Sequence, residues 1–201
     1  MPSTASNSND IITTDRLLLR AARQSDLDDF HAIFSNDDVM RYWSNPPHTE
    51  LSQTKEYLMI MINSPNNGII DFVIVLRPTT PYSGQLENEG PVIGKAGVWS
   101  PASHPKPELG FMINRDYWGK GYMKEALGAL IPLVWEQGIT MMQVDVDPRN
   151  DASIATCKKF GFVEVGTEEN TVKTHLGWCD SVFLQLERPE EGVEGGNGRG
   201  E

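Results

Sequence analysis

Between Tyr117 and Ala126 the chain reads Tyr-Trp-Gly-Lys-Gly-Tyr-Met-Lys-Glu-Ala. Glycines just before a helix let the backbone approach a ligand, and the first N–H groups of that helix point outward at the positive end of its dipole. Such a turn suits a phosphate or diphosphate. A dinucleotide fingerprint needs a third glycine where Lys124 stands, and a P-loop needs a magnesium-binding hydroxyl where Tyr122 stands, so neither applies. Two readings stay open: a short Gly-x-Gly loop that grips a diphosphate without metal, or a tight strand-to-helix turn. Residues 115–159 hold six basic side chains (Arg115, Lys120, Lys124, Arg149, Lys158, Lys159) and six acidic ones, so the whole surplus of acid lies elsewhere. A locally neutral segment is what a polyanionic ligand requires. Other chemistries fall away. His31, His48, His104 and His175 have no metal-ligand spacing with each other or with the cysteines, so no metal is expected, and no Gly-x-Ser-x-Gly elbow occurs. His48 and His104 lie in Pro-rich loops and read as solvated.

Positioning that turn requires alternating strands and helices. Arg16–Arg20 reads as a first strand, and Ser25 caps a helix over Asp26–Asn36 with Leu27, Phe30, Ile33 and Phe34 on one face. Thr49 caps a second helix that runs through Met61. Ile69–Leu76 and Val92–Trp99 form a hairpin across a long Pro/Gly/Ser loop, and Glu108–Ile113 is a further strand. A helix over Tyr122–Trp135 follows, in which Pro132 is expected to cause a kink or an early end. Met142–Val146, a short helix Ala152–Phe160, and closing strands Val163–Thr167 and Cys179–Leu186 complete the pattern. This order argues for a mixed α/β sheet with helices on both faces.

The chain has 201 residues, 39% of them hydrophobic, and a mean hydropathy of −0.38, which fits one domain. Residues 1–13 and the tail 188–201, with five glycines, read as disordered ends of a folded body over 14–187. No apolar run approaches the roughly 20 residues of a membrane helix, and the N-terminus has no signal-peptide pattern, so a cytoplasmic protein without membrane attachment is expected. Cys157 and Cys179 are too few for a disulfide framework. Seventeen basic against 28 acidic residues give a net charge of −11, which disfavours nucleic acid and favours cationic partners.

Asp15-Arg-Leu-Leu-Leu-Arg20, Glu108-Leu-Gly-Phe111, the Tyr117–Ala126 segment and Asn150-x-x-Ser153-x-x-x-x-Lys158-Lys-Phe-Gly-Phe162 occur in that order. Together they resemble the GNAT superfamily of N-acetyltransferases, in the branch that includes ribosomal-protein-alanine acetyltransferases. The resemblance implies a mostly antiparallel twisted sheet of about seven strands. In that sheet the strand Glu108–Ile113 carries a bulge and splays from Met142–Val146. It implies acetyl-CoA as donor, with the pantetheine arm in the splay against the backbone of Phe111, Met112 and Ile113. The diphosphate would rest on Trp118, Gly119, Lys120, Gly121, Tyr122, Met123 and Lys124, with Asn150 and Ser153 touching the cofactor from the other side. Many members place a tyrosine as general acid before the Gly-Phe pair, where this chain has Cys157. Cys157 could donate that proton or serve as a small buried apolar group.

Acetyl transfer to an amine needs a neutral amine, because a free alkylammonium has a pKa near ~10.4. Glu108 is the first candidate for the base that takes this proton and Asp145 the second. A backbone N–H near Met112 is the candidate oxyanion donor. Tyr42 and Trp43 could line the acceptor pocket or pack under their loop. The expected function is transfer to a primary amine (a polyamine, an amino sugar or a peptide N-terminus) by direct attack in a ternary complex. A non-catalytic CoA-binding regulatory module is the alternative. Both a monomer and a homodimer are compatible with these residues.

Overall fold

Aliphatic alternation places eight strands in one sheet of the computed structural model, which describes residues 11–63, 69–78, 89–100 and 106–190. The elements run β1 (Ile12–Thr13), β2 (Leu17–Arg20), α1 (Leu27–Phe34), α2 (Asp37–Met40), α3 (Leu51–Asn63), β3 (Ile69–Leu76), β4 (Val92–Trp99) and β5 (Glu108–Ile113). They continue α4 (Tyr122–Glu136), β6 (Met141–Val146), α5 (Asp151–Lys159), β7 (Val163–Thr174) and β8 (Gly177–Glu187). The strand order is β1-β2-β3-β4-β5-β6-β8-β7. All neighbours are antiparallel except β5 and β6. The mixed sheet with helices on both faces is as expected. It has one strand more than anticipated, because Ile12 and Thr13 pair with Leu19 and Leu18.

Each face has its own core. On one, α4 lays Ala126, Leu127, Leu130 and Val134 against alternate residues of β2–β6 and β8. On the other, Phe30, Ile33 and Phe34 of α1, Met40 of α2 and Leu58 and Met61 of α3 cover Val73, Val75, Val92 and Met112. Pro132 does not end α4, which continues to Glu136 because Ile131 and Val134 hold its last turn in the core.

Local hydrogen bonds move several boundaries. Ser25 is not a cap. Gln24–Asp26 forms a 3-10 turn, since the Asp26 carboxylate accepts the Arg23 N–H at 2.7 Å and both guanidinium arms of Arg20 at 2.9 Å. Thr49 does not cap α3 either, because the Gln53 side chain folds back to accept the N–H groups of Thr49 and Glu50. β7 extends seven residues beyond the expected Thr167. Its second half, Glu168–Thr174, is polar and mostly exposed, so pairing with β8 rather than burial makes it a strand. His48 is not solvated: its ring stacks on Phe34 at 4.9 Å and meets Thr54 Oγ1 at 2.9 Å, and burial lowers its pKa. His104, the ends 1–10 and 191–201, and most of the loop between β3 and β4 lie outside the described residues.

Under α3, Lys95 Nζ on β4 donates to Asp71 Oδ2 on β3 at 2.9 Å and to Tyr57 Oη at 2.8 Å. Burial works against the charge of Lys95, but Asp71 and Tyr57 outweigh it and keep the amine protonated. Removing one partner leaves the other charge buried and uncompensated. Lys95→Met is therefore expected to cost about 3–5 kcal/mol in urea unfolding, and Lys95→Met with Asp71→Leu markedly less.

Candidate active site

β4 and β5 pair without interruption from Trp99/Glu108 to Gly94/Ile113, and β6 and β8 pair from Met141/Glu187 to Val146/Val182. Between them β5 and β6 share a single pair, Glu108 with Gln143, where Gln143 N–H donates to Pro107 O at 2.8 Å. Beyond it the strands diverge, so the sheet opens as a wedge towards Ile113 and Val146. This is the anticipated splay, but no bulge in β5 makes it: the β4–β5 register does not shift. Register shifts occur at Ile74/Val75 and in β7. β5 and β6 part because each follows its other neighbour.

The pairing fixes which amides line the wedge. Asn114 N–H bonds to Ile93 O, so in this antiparallel ladder Met112 bonds to Lys95. The Met112 N–H is thereby committed to β4. Phe111 and Ile113 alternate to the other side, in phase with the Pro107 carbonyl that reaches β6. Their N–H groups face the opening.

The wedge leads to the glycine turn. Gly119 and Gly121 have φ of +71° and +79°, the left-handed region that side chains disfavour, and a Cβ on Gly119 would meet nothing within 4 Å. Trp118 Nε1 donates to Ile113 O at 2.8 Å, tying the turn to the end of β5, and the Arg115 guanidinium lies over the indole. Lys120 folds back to donate to Asp116 O at 2.8 Å. The first helical bond runs from Glu125 N–H to Gly121 O, leaving the N–H groups of Tyr122, Met123 and Lys124 without an intrahelical acceptor. Arg16 and Glu125 also belong to this turn. They lie 109 residues apart, and their spacing in the sequence gave no sign of contact; the Arg16 in the Asp15–Arg20 motif was the one available signal.

Glu108, Gly110 and Met112 project to the α1–α3 face, as do Gln143 and Asp145 opposite the buried Met142, Val144 and Val146. Burial pushes the Asp145 carboxyl above its ordinary value against a hydrogen bond from Ser181, and Glu168 adds to the rise. Trp43 lies over β5, with a ring atom 3.9 Å from where a Cβ on Gly110 would stand. Tyr42 faces the Arg149 guanidinium at 5.9 Å, just beyond β6. Arg149 itself is held by Asp147 and approaches Cys179 Sγ at 3.3 Å. Tyr42 and Trp43 thus bracket the wedge from above.

Asn150 caps α5 by accepting the Ser153 N–H at 3.2 Å. Cys157 lies wholly inside the α4-side core, and burial raises its thiol to about 11 against a bond from Ser153. The thiol is thus kept protonated within an apolar layer. Among the described residues no group of His, Cys, Asp and Glu could hold a metal ion, and no helix is long and apolar enough to cross a membrane.

A family model for the acetyltransferase (GNAT) domain matches residues 16–163. The chain belongs to the GNAT family. It is 25% identical over 180 residues to an uncharacterized N-acetyltransferase, p20, of Bacillus licheniformis, covering 88% of this chain and 96% of that protein. Its fold matches a GNAT-family acetyltransferase of Bacillus anthracis with a TM-score of 0.74 at 20% identity, over 89% of this chain and 98% of that one. A ribosomal L7/L12 alpha-N-protein acetyltransferase solved with coenzyme A matches with a TM-score of 0.71 at 18% identity, over 89% and 98% of the two chains.

GNAT membership implies acetyl transfer, and the turn and wedge suit an elongated thioester with a diphosphate. The N–H groups of Phe111 and Ile113 face the opening, and those of Tyr122, Met123 and Lys124 start the helix without an intrahelical acceptor. Because a Cβ at Gly119 meets no protein neighbour, substitutions there probe backbone conformation or contact with the ligand, and not packing. Gly119→Asn, which tolerates the left-handed region, is expected to bind coenzyme A within a few-fold of the parent, and Gly119→Val to lose tenfold or more, by calorimetry. Equal losses for Asn and Val would assign the effect to ligand contact instead.

Proposed function

We propose that this GNAT protein is a cytoplasmic acetyl-CoA-dependent N-acetyltransferase acting on a cationic primary amine, with donor and acceptor bound together. The observation that carries this is the single Glu108–Gln143 pair, beyond which the wedge leads to the Gly119–Gly121 turn. Acetyl-CoA would supply an activated acetyl thioester whose thiol, with an ordinary pKa near ~8.5, leaves readily without an acid. That is why a covered Cys157 does not argue against catalysis.

The donor is proposed to lie along the Phe111 and Ile113 amides, with Asn150 and Ser153 flanking it at the start of α5. Of the amides near Met112, that of Phe111 is the proposed oxyanion donor. The acceptor enters from the α1–α3 face, where Tyr42 and Trp43 offer aromatic surface and Glu108, Asp145 and Glu168 offer negative charge to an ammonium. Candidates are a polyamine, an amino sugar or the N-terminus of a basic peptide. The net charge of −11 argues against a nucleic-acid partner.

Glu108 is the proposed proton acceptor, at the vertex of the wedge. Asp145 is a second reading, favoured by its half-buried carboxyl, whose raised proton affinity makes it the stronger base. The base must be ionised, so activity falls as pH drops through its pKa. Coenzyme A release across an amine panel, followed with a thiol reagent, checks the assignment. Glu108→Gln is expected to lower kcat by roughly 10²–10⁴. Asp145→Asn is expected to spare kcat and keep the acid limb; if it abolishes both, Asp145 is the base. Tight coenzyme A binding without turnover on any amine would favour the regulatory module.

A second expectation separates the two binding regions. Trp43→Ala is expected to raise KM for the acceptor about tenfold while leaving KM for acetyl-CoA within twofold.

A further inference from the structure

We propose that Arg16, fixed by Glu125, is the positioning residue that orients the Lys120–Gly121 peptide so that its N–H faces the diphosphate. The inference rests on the N-acetyltransferase reading of the same turn and adds to it a residue from outside the loop. Arg16 lies just before β2, and three bonds fix it there. Its Nε donates to Glu125 Oε2 at 2.7 Å, its backbone N–H donates to Glu125 Oε1 at 2.8 Å, and its Nη1 donates to Lys120 O at 3.0 Å. Thr14 Oγ1 donates to Glu125 Oε1 at 2.6 Å, and the guanidinium lies over the Tyr122 ring at 4.4 Å. Partial burial works against the Glu125 charge, but the bonds from Thr14 and Arg16 outweigh it and hold the carboxyl below its ordinary value.

A planar trans peptide couples the direction of its carbonyl to that of its N–H. The carbonyl of Lys120 and the N–H of Gly121 belong to one plane and point in opposite directions. Drawing the carbonyl towards Arg16 aims the N–H of Gly121 away from it. The next carbonyl, Gly121 O, is held by Glu125 N–H, which turns the Tyr122 N–H outward in the same way. Glu125 thus acts twice, through its backbone on Gly121 and through its side chain on Arg16.

Without that hold the Lys120–Gly121 plane is free to rotate. Gly121 has φ of +79°, and glycine tolerates the mirror conformations, so little intrinsic preference opposes a flip. A flip would present a carbonyl oxygen to the diphosphate in place of an N–H. Arg16 Nη2 also lies 3.6 Å from where a Cβ on Gly121 would stand, which places the guanidinium on the side of the turn away from that N–H.

Calorimetry with coenzyme A, and kinetics with acetyl-CoA against S-acetylpantetheine, which lacks the diphosphate, test this. Arg16→Ala is expected to weaken coenzyme A binding by tenfold or more while leaving kcat/KM for S-acetylpantetheine within twofold. Glu125→Ala keeps the guanidinium but releases it, and is expected to weaken coenzyme A comparably. The double variant is expected to be no worse than the weaker single, since both act through one peptide. Unchanged coenzyme A binding in Arg16→Ala overturns the proposal, as does an equal loss with S-acetylpantetheine. Retained affinity in Glu125→Ala with loss in Arg16→Ala also overturns it, by showing that Arg16 contacts the diphosphate itself. Failure of the unsubstituted protein to bind coenzyme A sinks the N-acetyltransferase reading as well, which separates the two failures.

Discussion

One pair of residues, Glu108 and Gln143, joins two half-sheets that otherwise have separate ladders. A sheet that loses pairing in its middle exposes backbone amides and carbonyls, and buried unpaired groups of that kind cost free energy. The opening persists because each strand is held elsewhere: β5 by six pairs to β4, and β6 by six pairs to β8. The core under α4 then fastens the halves together. It contains Leu109 and Ala96 from one side of the wedge and Met142, Val144 and Leu184 from the other, so the halves part at the backbone while their side chains stay in one apolar layer.

The other face has the opposite arrangement, and the difference gives the wedge two entrances. The buried residues packed with α1, α2 and α3 come from β3, β4 and β5, and none from β6, β7 or β8. Asp145, Ser181 and Phe183 on that half of the sheet therefore lie beside the helices instead of beneath them. A cationic amine can reach the β5–β6 opening from there, while the glycine turn lies at the end of the strands. The proposed donor and acceptor therefore have separate approaches, as a ternary complex requires.

The strands and helices that carry this geometry were legible because burial creates their periodicity. β3–β6 and β8 alternate or run apolar, and their expected positions agree with those observed to within two residues. The glycine turn was legible for a different reason: Gly119 and Gly121 adopt left-handed φ values that few other residues tolerate. What escaped has no local signature. β7 beyond Thr167 has a polar sequence, and the Gln53 and Asp26 caps depend on which neighbouring acceptor wins. The choice of Phe111 over Met112 as the free amide depends on ladder phase, which no residue type encodes. Arg16, just before β2, and Glu125 of α4 meet only through tertiary structure.

Two glycines in one cross-sheet row differ sharply in what a side chain would meet. Asp71, Gly97 and Gly110 stand opposite one another on β3, β4 and β5. A Cβ on Gly97 would approach Ile70 O to 2.4 Å and Asp71 Oδ1 to 2.6 Å, so the close approach of β3 and β4 excludes any side chain there. Gly110 has no such neighbour; the nearest atom belongs to Trp43, in ordinary contact at 3.9 Å. The strands themselves would admit alanine at Gly110. An alanine side chain would rest against the Trp43 indole at ordinary contact distance, and that indole lies against β5 beside the strand edge that β6 leaves open. That ring therefore rests on the same strand whose other edge opens into the wedge, so one strand serves both the proposed acceptor pocket and the proposed donor cleft.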